Sequence, residues 1–97
     1  MSDQKRRLGV LLFEGFELLD ACGPLEMFGN LRDLLDVTMV AKEAGPIRSA
    51  QGPEIVADVG IKECPHLDLI LVPGGRGTRA AVKDKELISW LADRSAK

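Results

Sequence analysis

Apolar residues follow two rhythms along this chain. Nearly continuous runs of Val, Leu and Ile occur at "RLGVLLF" (7–13) and "LDLILVP" (67–73), the pattern of strands buried on both faces. "DVTMVAK" (36–42) reads as another strand. "GPLEMFGNLRDLL" (23–35) suits a helix, with Pro24 in its first turn, where a missing N–H costs nothing. Leu25, Phe28 and Leu31 recur on one face of that helix, and Gly29 is a candidate early C-cap. Two Gly-Pro pairs interrupt "EAGPIRSAQGPEIVADVGI" (43–61), which predicts turns and a small ribbon. "GGRGTRAAV" predicts a Gly-rich turn into a short helix. "KDKELISWLADRSA" (83–96) predicts an amphipathic helix with Asp84 as N-cap, Leu87, Ile88 and Leu91 as its apolar stripe, and Trp90 at the border.

The order is therefore strand, helix, strand, ribbon, strand, helix. Apolar strands alternating with helices predict an α/β sandwich on a parallel sheet. In such folds a helix normally returns to a further strand, so the chain reads as the N-terminal portion of a larger domain.

Bulk properties narrow the function. With 97 residues the chain suffices for one small domain. A net charge of −2, without a basic stripe or an aromatic platform, argues against nucleic acid as a partner of this segment. Apolar runs are far shorter than a membrane span, and "MSDQKRR" followed by a run broken at Glu14 does not read as a secretory signal. Two cysteines, Cys22 and Cys64, without a CxxC make a reducing, cytoplasmic setting the simplest reading. A single histidine, His66, makes a zinc site improbable.

Three places carry candidate chemistry. Asp20 lies just past the first strand, on the carboxyl rim where open parallel sheets collect ligands. Partial burial there would suit it to acid–base work; the alternative is a helix cap. Cys22 is either a thiolate favoured by a helix N-terminus or a small buried hydrophobe, the commoner fate of a free cysteine. Cys64 reads as packing. "PGGRG" (73–77) either presents backbone N–H groups to an oxyanion or phosphate, or is a turn that needs positive φ. His66, Glu14 and Glu17 read as solvent-facing, although Glu17 could rim a pocket. Arg76, Arg79, Lys83 and Lys85 read as a solvated helix face.

In order and spacing, "VLLFEGFELLDACGPLEMF", "AKEAGPIRSAQG" and "CPHLDLILVPGGRGT" resemble the front half of the ThiJ/PfpI (class I glutamine amidotransferase-like) superfamily. Within it they are most similar to the isocyanide (isonitrile) hydratase branch, and similar stretches occur in the sensing domains of AraC-type transcription regulators. The resemblance implies a flavodoxin-like α/β sandwich with a mainly parallel central sheet, assembled as a homodimer. It implies a cysteine nucleophile on a strand-to-helix elbow after the helix at 84–96, outside this chain, and no metal or organic cofactor. Asp20 matches the acidic residue beside that nucleophile, where other branches carry glutamate. Gly74 and Gly75 match the turn whose N–H groups help bind a developing anion, and neither Cys22 nor Cys64 matches the nucleophile. The implied activity of the complete domain is hydration of an isocyanide to an N-substituted formamide, the 97 residues alone being inactive. The partners implied are the isocyanide, the remainder of the domain and a second copy. The alternatives are a ligand-sensing domain without turnover, and a glyoxalase-like, peptidase-like or protein-repair activity.

Overall fold

The computed structural model describes residues 6–31 and 33–95. Its elements run β1 (Arg6–Leu11), α1 (Leu18–Gly29), β2 (Leu35–Ala41), β3 (Gly45–Arg48), β4 (Glu54–Ala57), β5 (Val59–Gly60), β6 (Leu69–Leu71), α2 (Thr78–Ala81) and α3 (Lys85–Ser95). Four strands form a parallel sheet in the order β5-β2-β1-β6, and β3 and β4 form a separate antiparallel ribbon. The expected α/β sandwich with a parallel sheet is what the chain adopts. The two-residue strand β5, which the sequence pattern does not announce, extends the sheet beside Val40 and Ala41.

β1 is the axis. It pairs with β2 from Arg6↔Leu35 to Leu11↔Val40, and with β6 from Leu8↔Leu69 to Val10↔Leu71. Its alternation serves two cores. Leu8, Val10 and Leu12 join Phe13, Phe16 and Ala21 on one face, against Leu18, Leu25 and Phe28 of α1. Leu11 joins Val40, Ile61, Cys64, Leu67 and Leu87 on the other, against Trp90 of α3. Gly9 lacks a side chain where the Leu67 methyls press on β1, so the strand can be covered closely from the α3 side.

α1 begins at Leu18, five residues earlier than the expected start at Gly23. Pro24 therefore lies inside the helix rather than in its first turn, and has no N–H to give to the Asp20 carbonyl four residues earlier. The helix ends at Gly29, with Asn30 as C-cap in ordinary right-handed geometry. Leu31 lies past that end and is exposed, so it does not extend the apolar face of Leu25 and Phe28. The expected helices also included Arg32 and Ala96, which lie outside the described residues.

Asp84 caps α3 as its position predicts, its Oδ1 accepting the Leu87 N–H at 3.2 Å. Its Oδ2 meets the Lys42 ammonium at 2.8 Å, which ties α3 to the end of β2, and Glu86 adds a second carboxylate at 3.6 Å. The stripe of α3 that enters the core is Leu87 and Trp90, not the expected Leu87, Ile88 and Leu91, because Ile88 is turned to solvent. The Arg94 guanidinium lies 5.3 Å from the Trp90 ring centroid and donates to the Cys64 and Pro65 carbonyls. Cys64 is buried, as a packing residue should be, and burial pushes its thiol pKa up despite the nearby Arg94 and Arg7 charges. Cys22 is exposed. The expectation that it packs as a small hydrophobe fails because Ala21, not Cys22, takes the inward position on α1.

Four outcomes follow from this packing. Leu12 is only 1% exposed, and Leu12→Ala should lower unfolding free energy by about 2–5 kcal/mol in urea titrations. Leu19→Ala, at a side chain 72% exposed, should change it by less than about 0.5 kcal/mol. In the native protein a thiol reagent should modify Cys22 promptly and Cys64 only after denaturant is added; equal labelling rates would contradict the described burial. The fourth outcome concerns pH. Lys42 lowers the Asp84 pKa below 3.8, and Asp84 raises the Lys42 pKa above 10.5. The carboxylate's contribution is complete above 3.8 and is lost as pH falls through its folded pKa. The ammonium's contribution is complete below 10.5 and is lost as pH rises through its folded pKa. The modest Tm gap between wild type and Asp84→Ala should therefore stay constant from about pH 5 to about pH 9 and narrow outside that window.

Candidate active site

The loop after β1 and the turn after β6 leave neighbouring strands and stack on one another. The Glu17 N–H donates to the Gly74 carbonyl at 2.7 Å, and the Gly77 N–H donates to the Gly15 carbonyl at 3.0 Å. Three glycines permit this approach. Gly75 has φ +124°, and a Cβ there would lie 2.6 Å from the Gly15 carbonyl oxygen. Gly15 has φ +81°, and its Cβ would lie 2.8 Å from the Gly77 nitrogen, while a Cβ on Gly77 would collide with the Glu14 carbonyl. The reading of "PGGRG" as a turn that needs positive φ holds at Gly75, and the N–H groups of Gly74 and Gly77 are taken by Asp20 and the Gly15 carbonyl.

Asp20 stands in the first turn of α1, where the positive end of the helix dipole favours a carboxylate. Its Oδ2 accepts the Gly74 N–H at 3.0 Å. Oδ1 makes no hydrogen bond to the described residues. The structure thus brings together two of the three residues singled out from sequence, Asp20 and Gly74, and places the third beside them. The Gly75 N–H has no acceptor among the described residues. Asp20 is exposed rather than half-buried. It does not cap the helix either: Glu17 holds the N-cap position, and its side chain makes no capping bond.

The other candidates lie apart. Cys64 sits in the core on the α3 side, before β6. Cys22 is two residues from Asp20 on the same helix, a spacing that points side chains in different directions. His66 is at the amino end of β6, largely exposed, with Nε2 3.4 Å from Asp68. The Asp68 pKa is lowered, first by the Arg7 N–H and then by His66. Among the described residues, no group of three or more His, Cys, Asp or Glu side chains gathers as a metal site, and no helix is long and apolar enough to cross a membrane. A cavity of about 350 Å³ opens between the ends of β1 and β2 and the helices α2 and α3, over Leu12, Phe13, Ala41, Ile47 and Ala81. Asp20, Gly74 and Gly75 do not line it.

Two further residues belong to the neighbourhood, Gln51, which sequence reasoning passed over, and Arg76. Gln51, in the turn between β3 and β4, accepts the Leu18 N–H on Oε1 at 2.9 Å and donates from Nε2 to Glu17 at 3.1 Å. Arg76, expected on a solvated helix face, instead reaches across to the Ala50 carbonyl at 2.7 Å. An amide side chain at the tip of a ribbon flanked by Gly-Pro is the one local signal for Gln51. Its partners lie 33 and 34 residues away, and no local pattern points to them.

Comparison with known proteins agrees with this fold. A model of the DJ-1/PfpI family matches residues 6–96. An isonitrile hydratase from Pseudomonas putida is 31% identical over 90 residues, covering 93% of this chain and 39% of that protein. The crystal structure of a ThiJ/PfpI family protein from Pseudomonas syringae superposes with a TM-score of 0.90 at 34% identity, over 97% of this chain and 39% of that one. A DJ-1 superfamily protein from Salmonella typhimurium gives 0.84 at 27% identity, over 94% of this chain and 50% of that one. The chain thus spans 39% to 50% of the length of these relatives. A parallel sheet between two helical layers, a carboxylate held at the turn after its edge strand and a family match over nearly the whole length agree: the chain belongs to the DJ-1/PfpI family.

Proposed function

We propose that this chain forms the acid–base side of an isonitrile hydratase-like active site, within a domain whose remainder supplies a cysteine thiolate. The observation that carries the reading is the Asp20–Gly74 hydrogen bond. One carboxylate oxygen is pinned by a backbone amide at 3.0 Å, and the other is left for a reacting partner. Similarity to an isonitrile hydratase supplies the reaction class.

In this reading the thiolate attacks the terminal carbon of the isocyanide while protonated Asp20 delivers its proton to that carbon, giving a thioimidate. Asp20, now a carboxylate, takes a proton from water as the hydroxyl adds to the same carbon. The proton passes to nitrogen. Collapse of the resulting adduct returns the hydroxyl proton to Asp20, expels the thiolate and releases the N-substituted formamide. The sum is isocyanide plus water, with acid and thiolate restored. The unengaged Gly75 N–H donates to the negative charge that develops along the way, whereas the Gly74 N–H is committed to Asp20. No metal or organic cofactor takes part, and two copies of the complete domain form a homodimer in the cytoplasm. A second reading, a ligand-sensing domain without turnover, is favoured by the cavity beside α3, which is separate from Asp20.

Asp20→Asn in the full-length protein tests the proposal. The amide keeps a carbonyl oxygen for the Gly74 N–H, so folding should persist while isocyanide turnover falls by about 10²–10⁴-fold. Cys22→Ser, at an exposed thiol outside the proposed chemistry, should retain activity. Unchanged turnover in Asp20→Asn would remove Asp20 from the reaction.

A further inference from the structure

We propose that Gln51 is a positioning residue for Asp20, and that Arg76 locks the same ribbon turn to the Gly-rich turn carrying Gly74. The inference rests on the reading of Asp20 as the acid–base group.

The first turn of α1 does not cap itself. Its N-cap Glu17 makes no capping bond, and the first helical N–H, that of Leu18, is accepted by Gln51 Oε1. The amide at 51 can sit only one way round. Its oxygen faces a backbone N–H, which can only donate, and its nitrogen faces the Glu17 carboxylate, which accepts. Asp20 lies two residues beyond Leu18 on the same helical turn, so the orientation of that turn is the orientation of its carboxylate. The ribbon turn is in turn held by backbone. The Ala50 N–H donates to the Phe16 carbonyl at 2.8 Å, and the Gly15 N–H donates to the Arg48 carbonyl at 2.9 Å. Arg76 then joins the Ala50 carbonyl to the Gly-rich turn, and the Gly74 N–H of that turn closes the circuit on Asp20. Both partners of the Asp20–Gly74 bond are therefore fixed against the same short segment, 49–52.

The bonding pattern dictates the residue type. Asparagine is one methylene shorter. Glutamate keeps the acceptor for Leu18 but sets a carboxylate against Glu17. Alanine leaves the Leu18 N–H to water, a mild loss for an accessible helix end but a loss of direction for the turn.

The test uses the full-length protein and three readouts: isocyanide turnover, thermal stability and the Gly74 amide resonance in ¹H–¹⁵N spectra. Gln51→Ala should lower kcat by about 10- to 100-fold, with KM within about twofold, since misplacement of a reacting group is felt in kcat. The Gly74 amide should move upfield as its bond to Asp20 loosens. Gln51→Glu should be impaired as well. The exchanged pair Glu17→Gln with Gln51→Glu should recover kcat and the Gly74 resonance, because the donor and acceptor have merely changed sides. Normal kcat with an unmoved Gly74 amide in Gln51→Ala would overturn the inference. So would a loss that tracks Tm alone and is not recovered by the exchanged pair. An active Asp20→Asn together with a displaced Gly74 amide in Gln51→Ala would defeat the acid–base reading while leaving the positioning role standing.

Discussion

Backbone runs directly against backbone where the loop after β1 meets the turn after β6, and the candidate site exists because of that approach. Strands β1 and β6 are neighbours in the sheet, about 4.8 Å apart as paired strands are. The segments leaving their carboxyl ends must either diverge or stack. Gly15, Gly75 and Gly77 allow them to stack, since a Cβ at any of the three would meet main-chain atoms of the opposite segment. The hydrogen bonds Glu17 to Gly74 and Gly77 to Gly15 then hold the two segments as one body. Only because they are one body can a helix residue, Asp20, find the amide of Gly74, 54 positions along the chain.

The same constraint explains the form of α1. Its inward face, Leu18, Ala21, Leu25 and Phe28, is set by the sheet beneath, which leaves Leu19, Cys22 and Met27 outside. Its N-terminus is fixed from above by the ribbon rather than by a side chain of its own. A helix anchored in this way tolerates Pro24 in its interior, because packing and the ribbon contact hold the first turn that the missing hydrogen bond would otherwise help to hold. The Asp20 carbonyl loses its intrahelical donor, while the Asp20 carboxylate gains the Gly74 amide.

What could be read from sequence divides along the same line between local and distant causes. Strands β1 and β2 and the cap of α3 by Asp84 are written in adjacent residues, and they stand where the pattern put them. α1 starts five residues before the expected position, and the acceptor of its first N–H is Gln51, more than thirty positions away. Cys22 faces outward because its direction depends on a helical phase that begins at Leu18, not Gly23. Asp20, Gly74 and Gly75 were legible as types, by their place past strand ends. The bond between Asp20 and Gly74 was not, and neither were Gln51 and Arg76, whose roles consist of contacts between turns that only the folded sheet brings together.

In the proposed reaction, the geometry of the Asp20 carboxylate bears on where a thiolate would come from. Cys22 shares a helix with Asp20 but points elsewhere, and Cys64 is sealed in the opposite core with its pKa raised. Neither can meet the unengaged oxygen of Asp20. β6, by contrast, is paired with β1 on one side, has no strand on its other side among the described residues, and leaves Leu69 and the adjoining Val72 exposed. Such an edge is a template for a further strand. A strand laid parallel there would end one sheet spacing from the turn that carries Gly74. A residue at its carboxyl end would then stand beside the amide of Gly75 and within reach of Asp20. In the proposed reaction a residue on such a strand would supply the nucleophile, while Asp20 handles the proton.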